Sequence, residues 1–182
     1  MPKDDPLTRA SKFLSLVLRH QPQTAGLNLD SEGWAEIDAL LAGAPRRLSL
    51  DRGRLDEIVA TNNKKRFEIS ACGARIRAVQ GHSVAVDLAL APITPPETLY
   101  HGTATRFLKA IMAEGLRPGN RRHVHLSADW ETARAVGTRH GVPAILHVAA
   151  ARAASEGQSF YRAANGVWLT DPLAPSYLSR RA

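Results

Sequence analysis

The feature that most limits how this chain can fold is the segment Ala91-Pro-Ile-Thr-Pro-Pro96. Three prolines in five residues cannot continue a helix or a central strand, because each lacks an amide donor and fixes its own φ. Such a segment stiffens a connection and predicts two lobes, residues 1–91 and 97–182. The 182 residues allow each lobe a small hydrophobic core of its own. Hydrophobic residues make up 44% and charged ones 23%, the profile of a globular protein. Lys and Arg number 24 against 17 Asp and Glu, a net charge of +7 that favours a polyanionic partner such as nucleic acid or a phosphorylated ligand. The excess sits mainly in the second half. Aromatic residues are only 5%, too few for a broad base-stacking platform.

Several classes drop out. The single cysteine, Cys72, excludes a disulfide within one chain and a cysteine zinc cluster. The start, Met1-Pro-Lys-Asp-Asp-Pro6, does not read as a secretory signal, and no apolar stretch approaches the ~20 residues of a membrane helix. The expectation is a cytoplasmic protein, monomeric by default.

In the first lobe, Phe13, Leu14, Val17 and Leu18 fall at helical spacing and predict a helix over Leu7–Arg19, with Pro22 enforcing a stop. A second helix is expected over Trp34–Leu41, and a third is capped by Ser49. Short strands follow at Arg66–Ser70, Ala74–Val79 and Val84–Leu88. Three helices and then a β-ribbon suggest a winged helix. The second lobe reads as mixed α/β. Strands are expected at Leu99–His101, Val124–Leu126, Ala144–Val148 and Gly166–Leu169, and helices over Thr105–Glu114 and Thr132–Thr138.

His123 and His125 stand two apart on an expected strand and so share a face. Such a pair suits either a metal site, with His101 or His140 as a third ligand, or hydrogen-bonded structural histidines. Arg121 and Arg122 beside the pair would repel a cation. Arginine also stands next to histidine at Arg19-His20 and Arg139-His140. Guanidinium forks suit phosphate, and histidine can move a proton near neutral pH. Lys64-Lys-Arg66 is either a solvated turn or the phosphate-contacting base of a hairpin. There is no G-x-G-x-x-G, no Walker loop and no Gly-x-Ser-x-Gly elbow.

Taken in order along the chain, several segments resemble one family. They are Ser11-Lys-Phe-Leu-Ser-Leu-Val-Leu-Arg-His20, Gly33-Trp34, Asn63-Lys-Lys-Arg-Phe67 and Ile76-Arg-Ala-Val-Gln-Gly-His-Ser83. In the second lobe they are Leu99-Tyr-His-Gly-Thr103, Arg121-Arg-His-Val-His-Leu-Ser127, Arg139-His-Gly141 and Asn165-Gly-Val-Trp-Leu-Thr170. Their order and spacing resemble the Tpt1/KptA family of NAD-dependent RNA 2′-phosphotransferases.

The resemblance implies an α+β enzyme with an N-terminal winged-helix RNA-binding lobe and a C-terminal ADP-ribosyltransferase-like lobe. It implies transfer of an internal RNA 2′-phosphate, as at a tRNA splice junction, to NAD+, which is consumed. The phosphate attacks the nicotinamide ribose, and the ribose O2″ then attacks phosphorus. The products are 2′-hydroxyl RNA, nicotinamide and ADP-ribose 1″,2″-cyclic phosphate. The family's catalytic set falls on Arg19, His20, Arg66 and Arg121, the choice of Arg121 over Arg122 following the pattern Arg-x-His-Val-His. His101, Gly102, Thr103, His125 and Ser127 fall at NAD+. Lys65, Arg77, Gln80, His82, Ser83, Arg139 and His140 fall at RNA, and no metal is implied. Val79 departs from an asparagine the family often carries. Val167 stands where protein-directed relatives often carry a catalytic glutamate, which a phosphate nucleophile does not need. ADP-ribosylation of a terminal nucleic-acid phosphate and a non-catalytic RNA-binding module are the competing readings.

Overall fold

A computed structural model describes residues 5–62 and 64–180. Asn63 of the segment quoted above, and Met1 to Asp4 of the N-terminal stretch, lie outside them. The chain divides into two compact units, Met1–Ala89 and Leu90–Ala182. Both mix helix with antiparallel sheet, so the protein is α+β. Among the described residues, no helix is long and apolar enough to cross a membrane.

In the first unit, α1 spans Pro6–Val17 and is capped by Asp5, whose carboxylate accepts the Thr8 amide at 3.0 Å. Proline at the first helical position suits the start. The helix stops two residues short of the expected end. Leu18 is its C-cap, and Arg19 and His20 lie in the turn that follows. Helix α2 is Ile37–Gly43 and α3 is Arg52–Thr61. A sheet of β1 (Ala35–Glu36), β2 (Phe67–Ile69) and β3 (Arg75–Ala78) has β3 in the middle. Ile76 pairs with both Ala35 and Ile69. Leu14, Val17, Leu18, Ile37, Leu40, Leu55, Ile58, Phe67 and Ile76 form the core. Full burial of each large side chain stabilises the fold by about 1.5–3 kcal/mol before entropy is counted.

Three expectations for this unit need correction. Trp34 does not begin a helix. The Asp30 carboxylate accepts the amides of Glu32 and Trp34, both at 2.9 Å, and Gly33 takes φ +84°. This closed turn delivers Ala35 into the sheet, and helix starts only at Ile37. Ser49 does not cap α3. It sits at φ +45° after a 3-10 turn, and Asp51 caps the helix by accepting the Arg54 amide at 2.8 Å. Val84–Leu88 is a loop, not a strand. The amides of Ser83 and Val84 go to the Arg19 carbonyl, and that of Asp87 to the Ser31 carbonyl, so these donors serve loop contacts and not a ladder.

The second unit is built on a seven-residue antiparallel ladder of β4 (Thr98–Ala104) with β6 (Pro143–Ala149). The two-residue β9 (Leu178–Ser179) adds to the other edge of β6. A second sheet has β8 (Trp168–Thr170) between β5 (Val124–Leu126) and β7 (Phe160–Arg162). Reciprocal backbone hydrogen bonds between Tyr100 and Ser127, at 2.9 and 2.8 Å, tie β4 to the end of β5. The segment containing the prolines packs into this unit, where the Ile93 amide donates to the Phe160 carbonyl. Helices are α4 (Leu108–Glu114), α5 (Trp130–Gly137) and α6 (Ala150–Ser155). Strands β7 and β9 and helix α6 were not expected. The first two are too short to show alternation, and Ala150-Ala-Arg-Ala-Ala-Ser155 carries no large apolar residue to set a period.

Helix α5 lies directly on β4. A methyl group added at Gly102 would come within 1.8 Å of the Ala133 carbonyl oxygen, and one at Gly137 within 2.6 Å of the Thr103 carbonyl oxygen. Here two backbones touch with no side chain between them.

Candidate active site

The first unit draws several candidate residues into one patch. The Arg19 carbonyl accepts the amides of Ser83 at 2.9 Å and Val84 at 3.3 Å. The Arg19 guanidinium reaches the Arg66 carbonyl at 3.4 Å and stands 5.9 Å from the centre of the Phe67 ring. The Arg66 carbonyl also accepts the Val79 amide at 3.0 Å, and its guanidinium donates to the Asn62 side chain at 3.1 Å. His20 Nδ1 lies 2.9 Å from Ser83 Oγ. Ser83 Oγ in turn reaches the Arg19 carbonyl at 3.5 Å. A carbonyl only accepts, so the serine proton points to Arg19 and His20 Nδ1–H donates to the serine. In a neutral ring that donates through Nδ1, Nε2 carries the lone pair, and the side chain is exposed.

His82 stands beside this patch but is buried, at 3% exposure. Burial pushes its pKa down from 6.5 to about 4, and the charges of Arg19, His20 and Arg77 push the same way. Its Nε2 has no hydrogen-bond partner among the described residues, and a methyl group on Gly33 would approach it to 3.3 Å. The imidazole is therefore a neutral packing group under a cationic patch.

The depressed pKa has a pH consequence. Between pH 6.5 and 4 the unfolded chain binds a proton at His82 that the folded chain refuses. Stability is full at neutral pH and falls as the solution is acidified through that window, by about 2–3 kcal/mol at pH 4.5. Urea titrations at both pH values should show this loss in the parent and a flatter dependence in His82→Gln. Equal pH dependence in the two proteins would contradict it.

Other candidates in this unit have different surroundings. Arg77 lies 4.4 Å from the centre of the Trp34 ring and is paired with Glu68 and, at 3.6 Å, with Glu32. Lys65 is exposed and held at φ +40°, with its amide on the Asn62 carbonyl at 2.7 Å. Gln80 is half-buried, and Val79 is buried. Sequence reasoning missed Trp34, Glu68, Glu32 and Asn62 as partners of these arginines. A signal for the first existed. Arg75 and Arg77 alternate along β3 and so share a face, and Arg75 stands 5.6 Å from the same indole.

In the second unit, His101 Nδ1 lies 3.1 Å from the His125 carbonyl, and His125 Nδ1 lies 2.9 Å from the His123 carbonyl. Each carbonyl forces Nδ1 to be the donor, which leaves Nε2 of a neutral ring as an acceptor. Burial lowers the His101 pKa. The His125 hydrogen bond opposes this, and the charge of His140 reinforces it. Gly102 and Thr103 are buried on β4, and Ser127 is half-buried at the bridge to Tyr100. His123 meets Tyr161 at 5.6 Å between ring centres, a partner sequence reading did not supply. Arg121, Arg122, Arg139 and His140 are exposed, the last two in a 3-10 turn over Thr138–His140. Val167 is half-buried, and its amide donates to the Asn165 side chain at 3.3 Å. Among the described residues no three His, Cys, Asp or Glu side chains gather to hold a metal ion.

A two-unit α+β chain with a patch of arginines and histidine in one unit and histidines hydrogen-bonded to strand carbonyls in the other falls into the class of enzymes that handle anionic substrates. Comparison with known proteins narrows the class. The family described as "RNA 2′-phosphotransferase, Tpt1 / KptA family" matches residues 5–172. A Hahella chejuensis protein named "Probable RNA 2′-phosphotransferase" is 58% identical over 177 residues, covering 97% of this chain and 95% of its own. A Burkholderia lata protein of the same name is 58% identical over 173 residues, 94% of this chain and 89% of its own. A third, from Rhodopirellula baltica, is 53% identical over 181 residues and covers 98% of both chains. The chain belongs to the Tpt1/KptA family.

Proposed function

We propose that this enzyme transfers an internal RNA 2′-phosphate, such as a tRNA splice-junction mark, to NAD+, yielding 2′-hydroxyl RNA, nicotinamide and ADP-ribose 1″,2″-cyclic phosphate. The observation that carries the reading, beside family membership, is the patch in which Arg19, His20, Arg66 and Ser83 are stitched together by hydrogen bonds. Two guanidinium groups offer paired donors to a phosphate dianion and stabilise charge that grows on its oxygens, without reorganising. Arg121 completes the proposed catalytic set on family grounds. His20 Nε2 takes or returns the proton as the ribose hydroxyl attacks phosphorus and the RNA oxygen leaves. Ser83 keeps the ring in the orientation this requires. We assign the first unit, with its three helices and antiparallel sheet, to a winged-helix RNA-binding lobe. We assign the second to an ADP-ribosyltransferase-like lobe.

The residues assigned to NAD+ suit it chemically. NAD+ supplies the electrophilic ribose carbon, with nicotinamide as leaving group. His101 Nε2 is a neutral acceptor of the kind a ribose hydroxyl can donate to, and Thr103 adds a hydroxyl beside it on β4. His125 and Ser127 extend this set from β5 and its end. Lys65, Gln80, Arg139 and His140 are assigned to the RNA side, whereas His82, expected there too, is buried and packs beneath it. Arg77 joins them only by exchanging its carboxylate partners for phosphate.

Incubation with NAD+ and a short RNA bearing an internal 2′-phosphate tests the reading. Dephosphorylated RNA and the cyclic phosphate product should form together and only with NAD+. Phosphate release that is independent of NAD+ would overturn it.

A further inference from the structure

A groove of about 460 Å³ runs along the first unit, between α1 and α3. Lys12, Lys64 and Arg66 supply its cations, and Ser11, Ser15 and Asn62 supply hydroxyl and amide groups. No acidic side chain lines it among the described residues. The carboxylate that caps α1, Asp5, is engaged with Thr8. By contrast, three arginines elsewhere in this unit are matched by carboxylates: Arg52 by Asp56, Arg75 by Asp30, and Arg77 by Glu68 and Glu32. The groove is thus a channel lined by three cations and, among the described residues, by no carboxylate.

Its position identifies the occupant. Arg66 both lines the groove and belongs to the patch with Arg19 and His20. A strand whose 2′-phosphate meets Arg66 must continue over neighbouring surface, and its next backbone phosphates need cations and hydroxyl donors. We infer that the α1–α3 groove carries the RNA strand next to the marked nucleotide, with Lys12 and Ser15 contacting a neighbouring backbone phosphate. The inference rests on the reading of the chain as an RNA 2′-phosphotransferase. It adds a subsite that reads strand continuation and not the 2′-phosphate. Contacts of this kind fix register on the backbone and carry no base sequence.

Lys12 is exposed on α1, and glutamine retains helix propensity, so Lys12→Gln tests the groove without threatening the fold. The probes are a labelled single-stranded RNA ten nucleotides long without any 2′-phosphate, and a dinucleotide that carries one. Lys12→Gln should weaken binding of the ten-nucleotide strand about 3- to 10-fold. It should also reduce the slope of log affinity against log salt by about 0.7, as expected for one phosphate contact on a single strand. Ser15→Asp, which places a negative charge in the groove, should weaken it at least as much. Turnover of the marked dinucleotide with NAD+ should be unchanged in Lys12→Gln. Unaltered affinity and salt slope in both variants would overturn the inference. So would a groove that binds inorganic phosphate as well as the strand, since that would assign it to a free anion. Absence of dinucleotide turnover in the parent would defeat the functional reading instead, and the binding measurements would still decide the groove.

Discussion

Arg66→Ala is expected to lower turnover of a 2′-phosphorylated RNA by roughly a hundred- to a thousandfold while leaving the fold intact, the scale of losing a preplaced donor to a charge-bearing transition state. The separation is possible because the fold and the proposed chemistry use different atoms of Arg66. Its carbonyl takes the Val79 amide and the Arg19 guanidinium, and alanine keeps that carbonyl. Only the guanidinium, held by Asn62, is removed. Thermal melting should therefore move little, because the lost side chain is not part of the hydrophobic core. Arg66→Lys should restore charge but not the planar fork, and so recover only part of the rate. A melting temperature that collapses with the rate would mean that the side chain is structural.

Gly102→Ala is expected to have the largest effect on stability, about 3 kcal/mol or more, read as a drop in the urea midpoint. The added methyl would overlap the Ala133 carbonyl, which is helix backbone and has no rotamer to relieve the clash. Strand β4 or helix α5 would have to move. His101 and Thr103 flank Gly102 on β4, so under the proposed function NAD+ affinity should fall with stability. Alanine at Gly157, where an added Cβ meets nothing within 4 Å, is the control for steric contact, with only the cost of its φ of +99°. Equal losses at the two sites would remove the close-packing argument.

The sequence carried the elements better than their joins. The period of Phe13, Leu14, Val17 and Leu18 announced α1, and the alternation through Ala74–Val79 announced β3, because both are long enough to repeat a pattern. The third strand of that sheet was misread. Val84 and Val86 alternate like a ladder strand, but their segment is used to clasp Arg19 and Ser31. Turn chemistry was legible in principle at Asp30 and Asp51, whose carboxylates accept amides two to four residues ahead. Ser49 was a rival cap of equal propensity, and only its left-handed backbone disqualifies it. At the candidate site, residue types were visible and partners were not. Nothing local in the chain says that His20 meets Ser83, 63 positions away, or that Arg77 is already engaged by Glu68 and Trp34. Such contacts follow from how the sheet turns back on α1, and a linear pattern holds no record of that.

The clasp on Arg19 makes the site observable without any substrate. The amides of Ser83 and Val84 donate to the Arg19 carbonyl and belong to no helix or sheet ladder. Their protection from hydrogen exchange thus reports on the clasp alone, whereas amides of β3 report on the sheet. If the loop opens to admit RNA, these two protons should exchange early and together, well before the core amides of Ile76 and Ala78. Bound RNA that engages His20 should slow them selectively. The chain therefore contains its own gauge of whether His20 is seated, readable proton by proton.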